Sequence, residues 1–255
     1  MASQRIESLA KALTILRLFK INKTEWGVTE IARELDMQKS TVYRLLSTMQ
    51  EFGFVRKCED GITYRLGLSL FELGSVVSNS FVFRDIAVAY MHRLSERCGE
   101  SVHLGVLSDN EVMSIEGVES LSPLKSTIIV GKRAPLYCTS IGKALLAFLP
   151  EKERKEIIKN IHFEKFTEQT IVDPRALADE LELTWKRGYA IDNMEHDFGI
   201  TCVAAPIFGY GGTLEGSLSI SGPSVRLTTE KLPEYIELVL ATARDISKDL
   251  GYKGR

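Results

Sequence analysis

The sequence predicts two domains: an all-α-plus-hairpin winged helix-turn-helix, followed by an α+β domain with a mostly antiparallel sheet. Three observations predict it. Three segments with helical apolar spacing come first and are followed at once by a short hairpin pattern. Residues 1–66 carry 11 Lys and Arg against 8 Asp and Glu, whereas the remainder carries 21 against 26, so the net charge of −2 conceals a basic head and an acidic body. Beyond residue 80, amphipathic helices are interspersed with strand pairs joined by turns.

The elements follow in order. Ile6, Leu9, Leu13, Leu16, Leu18 and Phe19 give an apolar face to a first helix from about Ile6 to Ile21. After a turn at Glu25, Trp26 and Gly27, Thr29 is placed to cap a short helix that turns Ile31, Ala32 and Leu35 inward. Asp36 to Lys39 connects it to "MQKSTVYRLLSTM", in which Val42, Leu45, Leu46 and Met49 recur at i, i+3, i+4 and i+7 while Lys39, Ser40, Thr41 and Arg44 fall on the other side. Gly53 suits the helix stop. "FVRKCEDGITYRLG" then reads as a hairpin, Phe54 to Lys57 and Ile62 to Leu66, turning at Glu59, Asp60 and Gly61.

This head occupies residues 1–66. Residues 67–80 form a linker helix with apolar spacing through Leu68, Phe71, Leu73 and Val76, and residues 81–255 make the second domain. There a helix runs from Phe83 to Cys98, a hairpin turns at Asp109-Asn110, and a helix spans Gly142 to Leu149. Pro150 precedes the next helix, Asp173-Pro174 starts another that stops at Gly188, and a final helix begins near Thr229. Two strands flank the glycine-rich turn in "TCVAAPIFGYGGTLEGSLSISG".

Composition excludes several functions. No apolar run approaches the ~18 residues that cross a bilayer, and the N-terminus lacks a signal-peptide pattern, so a cytoplasmic protein without membrane partners is expected. The four cysteines form no C-x-x-C and the four histidines no H-E-x-x-H, so no metal or other cofactor is expected. "CTSIGKALLAFLP" is not a P-loop, because Tyr137 replaces the first glycine and Ala144 the hydroxyl residue. Nor is it a nucleophile elbow, since Cys138 stands at its first glycine. What remains is a turn opening a helix: either a cap at Ser140 with no ligand, or free N–H groups for a carboxylate. Asp192, with Glu195 and Asp197 nearby, sits just past an expected strand and reads as paired acids or as a loop of solvated charge.

The polar side of "MQKSTVYRLLSTM" is either a wet helix face or a surface for DNA. The helix before it and the basic hairpin after it favour DNA, with Thr29, Lys39, Ser40, Thr41, Tyr43 and Arg44 on the helix pair and Arg56 and Lys57 on the wing. Arg65 returns on the second wing strand.

Five stretches, "LAKALTILRLF", "VTEIARELDMQKSTVYRLLSTMQEFGFV", "PLYCTSIGKALLAFLP", "GYAIDNMEHDFGITCVAAPIF" and "GSLSISGP", resemble the IclR family of bacterial transcriptional regulators over nearly the whole chain. The resemblance implies a GAF-like effector domain after the linker, homodimers or homotetramers, and palindromic double-stranded DNA operators. It also implies an effector pocket at Ser140, Ile141, Gly142, Asp192, Cys202, Ser219 and Ser221 that takes a small organic acid. Some members have Gly-Ala where this chain has Ser140-Ile141, a difference at the turn that would meet the effector. Within the family the chain most resembles repressors of pectin and hexuronate breakdown that sense 2-keto-3-deoxygluconate. Regulators of acetate/glyoxylate or aromatic-acid catabolism are the alternative, and an acyl-transfer enzyme using Cys202 or Ser140 is a remote one.

Overall fold

In the computed structural model, which describes residues 6–127 and 129–254, the chain divides into two units, Met1–Phe81 and Val82–Arg255. The first unit begins with α1 (Glu7–Leu16). This helix is shorter than its apolar pattern suggests, because the chain turns after Leu16 to put Phe19 into the core and to let the Leu18 carbonyl accept a 3.1 Å hydrogen bond from the Trp26 indole. Next come β1 (Trp26–Gly27), α2 (Val28–Glu34), α3 (Lys39–Glu51), β2 (Val55–Lys57), β3 (Thr63–Leu66) and α4 (Leu68–Ser80). Thr29 does not cap α2. Gly27 holds the cap position, and its N–H donates to the Glu30 carboxylate at 3.0 Å.

Val42, Leu46 and Met49 of α3 are buried with Ile15, Ile31 and Tyr64, and the half-buried Leu45 packs against them. Gly53, at φ +73°, ends the helix. The expected two-stranded hairpin is a three-stranded antiparallel sheet in the order β1-β3-β2, because Trp26 and Gly27 pair with Tyr64 and Thr63. A two-residue strand leaves no periodic trace in a sequence. At the wing turn the Asp60 carboxylate accepts the N–H groups of Ile62 and Thr63, which holds its pKa below the usual carboxylate range.

The second unit carries α5 (Val82–Cys98), β4 (Ser101–Ser108), β5 (Glu111–Val118), β6 (Arg133–Ala134), α6 (Ser140–Phe148), α7 (Glu151–Asn160), α8 (Pro174–Arg187), β7 (Ala190–Asn193), β8 (Ile200–Phe208), β9 (Leu214–Pro223) and α9 (Leu232–Asp249). The strands form one antiparallel six-stranded sheet in the order β6-β5-β4-β9-β8-β7. Asp109 and Asn110 both have positive φ, as the tight β4–β5 turn requires.

Strand alternation separates two faces. A side chain at Gly216 of β9 would meet Phe83 of α5, which places Gly216, Leu218 and Ile220 on the α5 side. A side chain at Gly105 of β4 would meet Ile141 of α6, so Gly105 and its alternating neighbour His103 face α6. α6 is almost wholly buried, and Leu145 and Leu146 join Leu177, Leu181, Ala190 and Ala204 in one core.

Candidate functional site

On the first unit, burying Val42, Leu46 and Met49 turns the opposite side of α3 to solvent. Lys39, Ser40, Tyr43 and Arg44 are exposed there, and Thr41 is half-buried at the edge. No acid interrupts α3 before Glu51. Thr29 is exposed on α2, and Arg56 and Lys57 are exposed on β2. Arg56 stands directly opposite Arg65 across the wing, and the Arg65 Nε is buried without a hydrogen-bond partner. Two like charges facing each other across a hairpin destabilise it unless an anion lies between or beside them.

On the second unit, the α6-facing side of the sheet is a polar row. Asp192 of β7 lies opposite Cys202 of β8, Cys202 opposite Ser221 of β9, Ser219 opposite His103 of β4, and Ser114 of β5 opposite Gly105. The row borders a cavity of about 140 Å³ with Thr139, Ser140 and Ile141. Six of the seven expected pocket residues line this cavity. The seventh, Gly142, serves from beneath: a side chain there would meet the Leu136 carbonyl oxygen at 2.4 Å, so only glycine lets the first turn of α6 sit on that backbone.

Thr139, not Ser140, caps α6, its hydroxyl accepting the Gly142 N–H at 3.2 Å. The N–H groups of Ser140 and Ile141, at the first two helical positions, have no acceptor within the helix, and the positive end of the helix dipole favours an anion beside them. The Cys202 thiol lies within hydrogen-bonding reach of Ser221 and Ser140, and burial raises its pKa well above the ordinary value.

Asp192 is not in a solvated loop. It lies inside β7 and is 4 % exposed, and its carboxylate accepts the Glu195 N–H at 2.7 Å. Beside it, the buried Lys143 ammonium donates to Glu195 Oε1 at 2.5 Å and lies 3.9 Å from Glu180. The hydroxyls of Thr167 and Thr170 donate to the carbonyls of Met194 and Glu195, both at 2.6 Å, and so fix a turn in which Met194 has φ +59°.

Burial pushes Asp192 up to about 7, with the Glu195 charge adding to the rise and the Glu195 N–H, Lys143 and His196 opposing it. The folded chain therefore holds this proton more tightly than the unfolded chain, whose value is near 3.8. The contribution is most favourable below about pH 4, is lost as pH rises, and levels off above about 7. Asp192→Asn is expected to gain stability relative to the natural chain between pH 5 and pH 8, which urea midpoints at the two pH values check.

Sequence reading missed Thr139, His103, Ser114 and Lys132, all of which line the cavity. For His103 and Ser114 the available signal was a polar residue at alternate positions of strands otherwise apolar, and it becomes informative only when the register sets β4 between β5 and β9.

Residues 8–58 match the IclR helix-turn-helix domain, and residues 76–248 match the C-terminal domain of bacterial IclR transcriptional regulators. The chain belongs to the IclR family. It is 36% identical over 247 residues to the HTH-type transcriptional regulator KdgR of Escherichia coli, covering 97% of this chain and 94% of that one. The Thermotoga maritima IclR structure superposes with a TM-score of 0.77 at 39% identity, over 97% of this chain and 100% of that one. An IclR homologue from Microbacterium hydrocarbonoxydans complexed with 4-hydroxybenzoate gives a TM-score of 0.85 at 27% identity, over 96% and 99% of the two chains. As an IclR-family member this protein is a DNA-binding transcriptional regulator. Its helix-turn-helix is the α2–α3 pair, and β2 and β3 are the wing.

Proposed function

We propose that this IclR-family regulator is a repressor that grips a palindromic operator as a homodimer or dimer of dimers and lets go when a small keto acid fills the cavity beneath α6. Lys39, Ser40, Thr41, Tyr43 and Arg44 enter the major groove, Thr29 meets the backbone, and Arg56 and Lys57 hold a flanking phosphate. The observation that carries the effector reading is the meeting of a polar sheet row with a helix start whose first two N–H groups have no acceptor within the helix. The Ser140 and Ile141 N–H groups receive a carboxylate, while Asp192, Cys202, Ser219 and Ser221 meet the carbonyl and hydroxyl groups beyond it. An Asp192 carboxyl held near half-protonation at neutral pH does not repel the acid as a full charge would.

The resemblance of the sequence to repressors that sense 2-keto-3-deoxygluconate favours that acid as the ligand. The homologue holding 4-hydroxybenzoate keeps an aromatic acid as the second reading. Calorimetric titration of the full chain with both acids tests the choice: binding of 4-hydroxybenzoate alone would overturn the first reading. Acyl transfer is disfavoured because burial keeps the Cys202 thiol protonated, and the thiolate is the nucleophilic form.

Dimerisation is supported by apolar side chains left in solvent on the first unit: Leu9 and Leu13 on α1, and Leu68 and Phe71 on α4, the last 75 % exposed. Phe71→Asp is expected to yield monomers at micromolar concentration and, by removing the second half-site, to weaken operator binding about a hundredfold. Light scattering and a gel shift on the same preparation check this. The effector must bind one arrangement of the paired heads better than the other, since equal affinity for both would shift nothing.

A further inference from the structure

The polar row across the sheet extends further than the acid-binding reading uses. Its far end lies on β4 and β5, where His103 and Ser114 project from the face that carries Ser219. His103 Nε2 and Ser114 Oγ are buried and have no hydrogen-bond partner among the described residues, yet both side chains border the cavity. A buried polar atom with no partner is costly, so sites that retain one usually satisfy it with water or a ligand. Two serines on the same face of β4 and β9 are satisfied by contrast: the Ser101 hydroxyl donates to the Ser126 carbonyl at 2.8 Å, and the Ser217 hydroxyl donates to the Ala205 carbonyl at 3.0 Å.

The chemistry of the two groups is specific. Burial holds the His103 imidazole down at about 4, with Lys132 adding to the fall and Glu119 opposing it, so the ring is neutral at neutral pH and offers one donor and one acceptor. Ser114 offers a hydroxyl, which both donates and accepts. A carboxylate, which only accepts, would use the donor of each group and leave its acceptor idle. Both groups suit alcohol hydroxyls, which also donate and accept. A side chain at Gly105, which lies opposite Ser114, would meet Val112 at 2.9 Å and Ile141 at 3.0 Å, so glycine there lets these two cavity-lining side chains pack down on β4.

We propose that His103 and Ser114 form a hydroxyl-recognising subsite, so that the cavity selects acids bearing alcohol groups along the carbon chain over unsubstituted keto acids with the same head. This rests on the reading that the start of α6 holds the acid head. The two residues act as specificity determinants: a ligand lacking the hydroxyls leaves both of them unpaired, and such a mismatch separates close analogues far better than a difference in apolar size does.

Titration calorimetry of the full-length protein with 2-keto-3-deoxygluconate and with pyruvate tests the subsite. The natural chain is expected to bind the hydroxylated acid more tightly. Ser114→Ala and His103→Leu are each expected to weaken it by roughly three- to tenfold and to move pyruvate by less than about twofold. Melting temperatures of the same preparations separate recognition from misfolding, and Ser114→Ala, the smaller change, stands if His103→Leu fails to fold. Equal losses for the two acids would make the residues structural and overturn the proposal. So would an unchanged ratio, which would mean that the two groups meet only water. If the natural chain bound pyruvate as tightly as the hydroxylated acid, the subsite would fall while the acid-head reading stood. Binding of neither acid would remove both.

Discussion

Lys143→Met is expected to destabilise the second unit by about 3–5 kcal/mol, the size typical of breaking a buried ion pair from one side. Lys143 is 1 % exposed and Glu195 is 6 % exposed, so removing the ammonium leaves a carboxylate with little water to replace it. Glu195 Oε2 already lacks a hydrogen-bond partner, which makes the remaining contact to Oε1 more important. Replacing both partners, Lys143→Met with Glu195→Met, is expected to recover most of the loss, because apolar side chains of similar length remove the desolvation penalty from both sides. A double-mutant cycle by urea titration checks this, and simple additivity would show that the two side chains do not act as a pair. The same ion pair fixes the turn after Asp192, so the single variant is also expected to weaken effector binding while the double variant restores only part of it.

Arg44→Ala is expected to lower operator affinity by about ten- to a hundredfold and to relax preference at one base pair of each half-site. That is the scale of a lost bidentate contact to guanine, about 1–3 kcal/mol. Arg44 is exposed one turn into α3, its backbone carbonyl accepting the Thr48 hydroxyl and its guanidinium free to turn outward. Gel shifts at several salt concentrations distinguish the possible roles. If Arg44 reads a base, preference at that position is lost. If it only neutralises a phosphate, affinity falls evenly across sequences and the salt dependence becomes shallower by about one counterion. Unchanged affinity and preference would remove Arg44 from the recognition surface.

The helical units were legible because their signals are local. The i, i+3, i+4, i+7 spacing in α3 puts Val42, Leu46 and Met49 in the core as expected, and Gly53 and Gly188 mark stops through positive φ. What escaped depends on contacts distant in the chain. β1 exists because Trp26 and Gly27 meet β3, nearly forty residues later. α1 ends early because the Trp26 indole takes the Leu18 carbonyl. Asp192 and Glu195 read as surface charge because acids close together on a chain usually are. Only the fold reveals that Lys143, some fifty residues earlier, is buried against them. Thr139 lost the cap position to Ser140 on paper because either hydroxyl fits a helix start, and backbone geometry chose between them.

The contact between Gly142 and the Leu136 backbone bears on how this cavity can diversify. Main chain set against main chain leaves no side chain to vary, so that wall keeps one shape whatever substitutions arise around it. A change of ligand preference must then come from the opposite wall or from the two residues that open α6. Libraries aimed at new effectors would gain most from Ser140, Ile141, His103 and Ser114, and substitutions at Gly142 should mainly deplete the folded fraction.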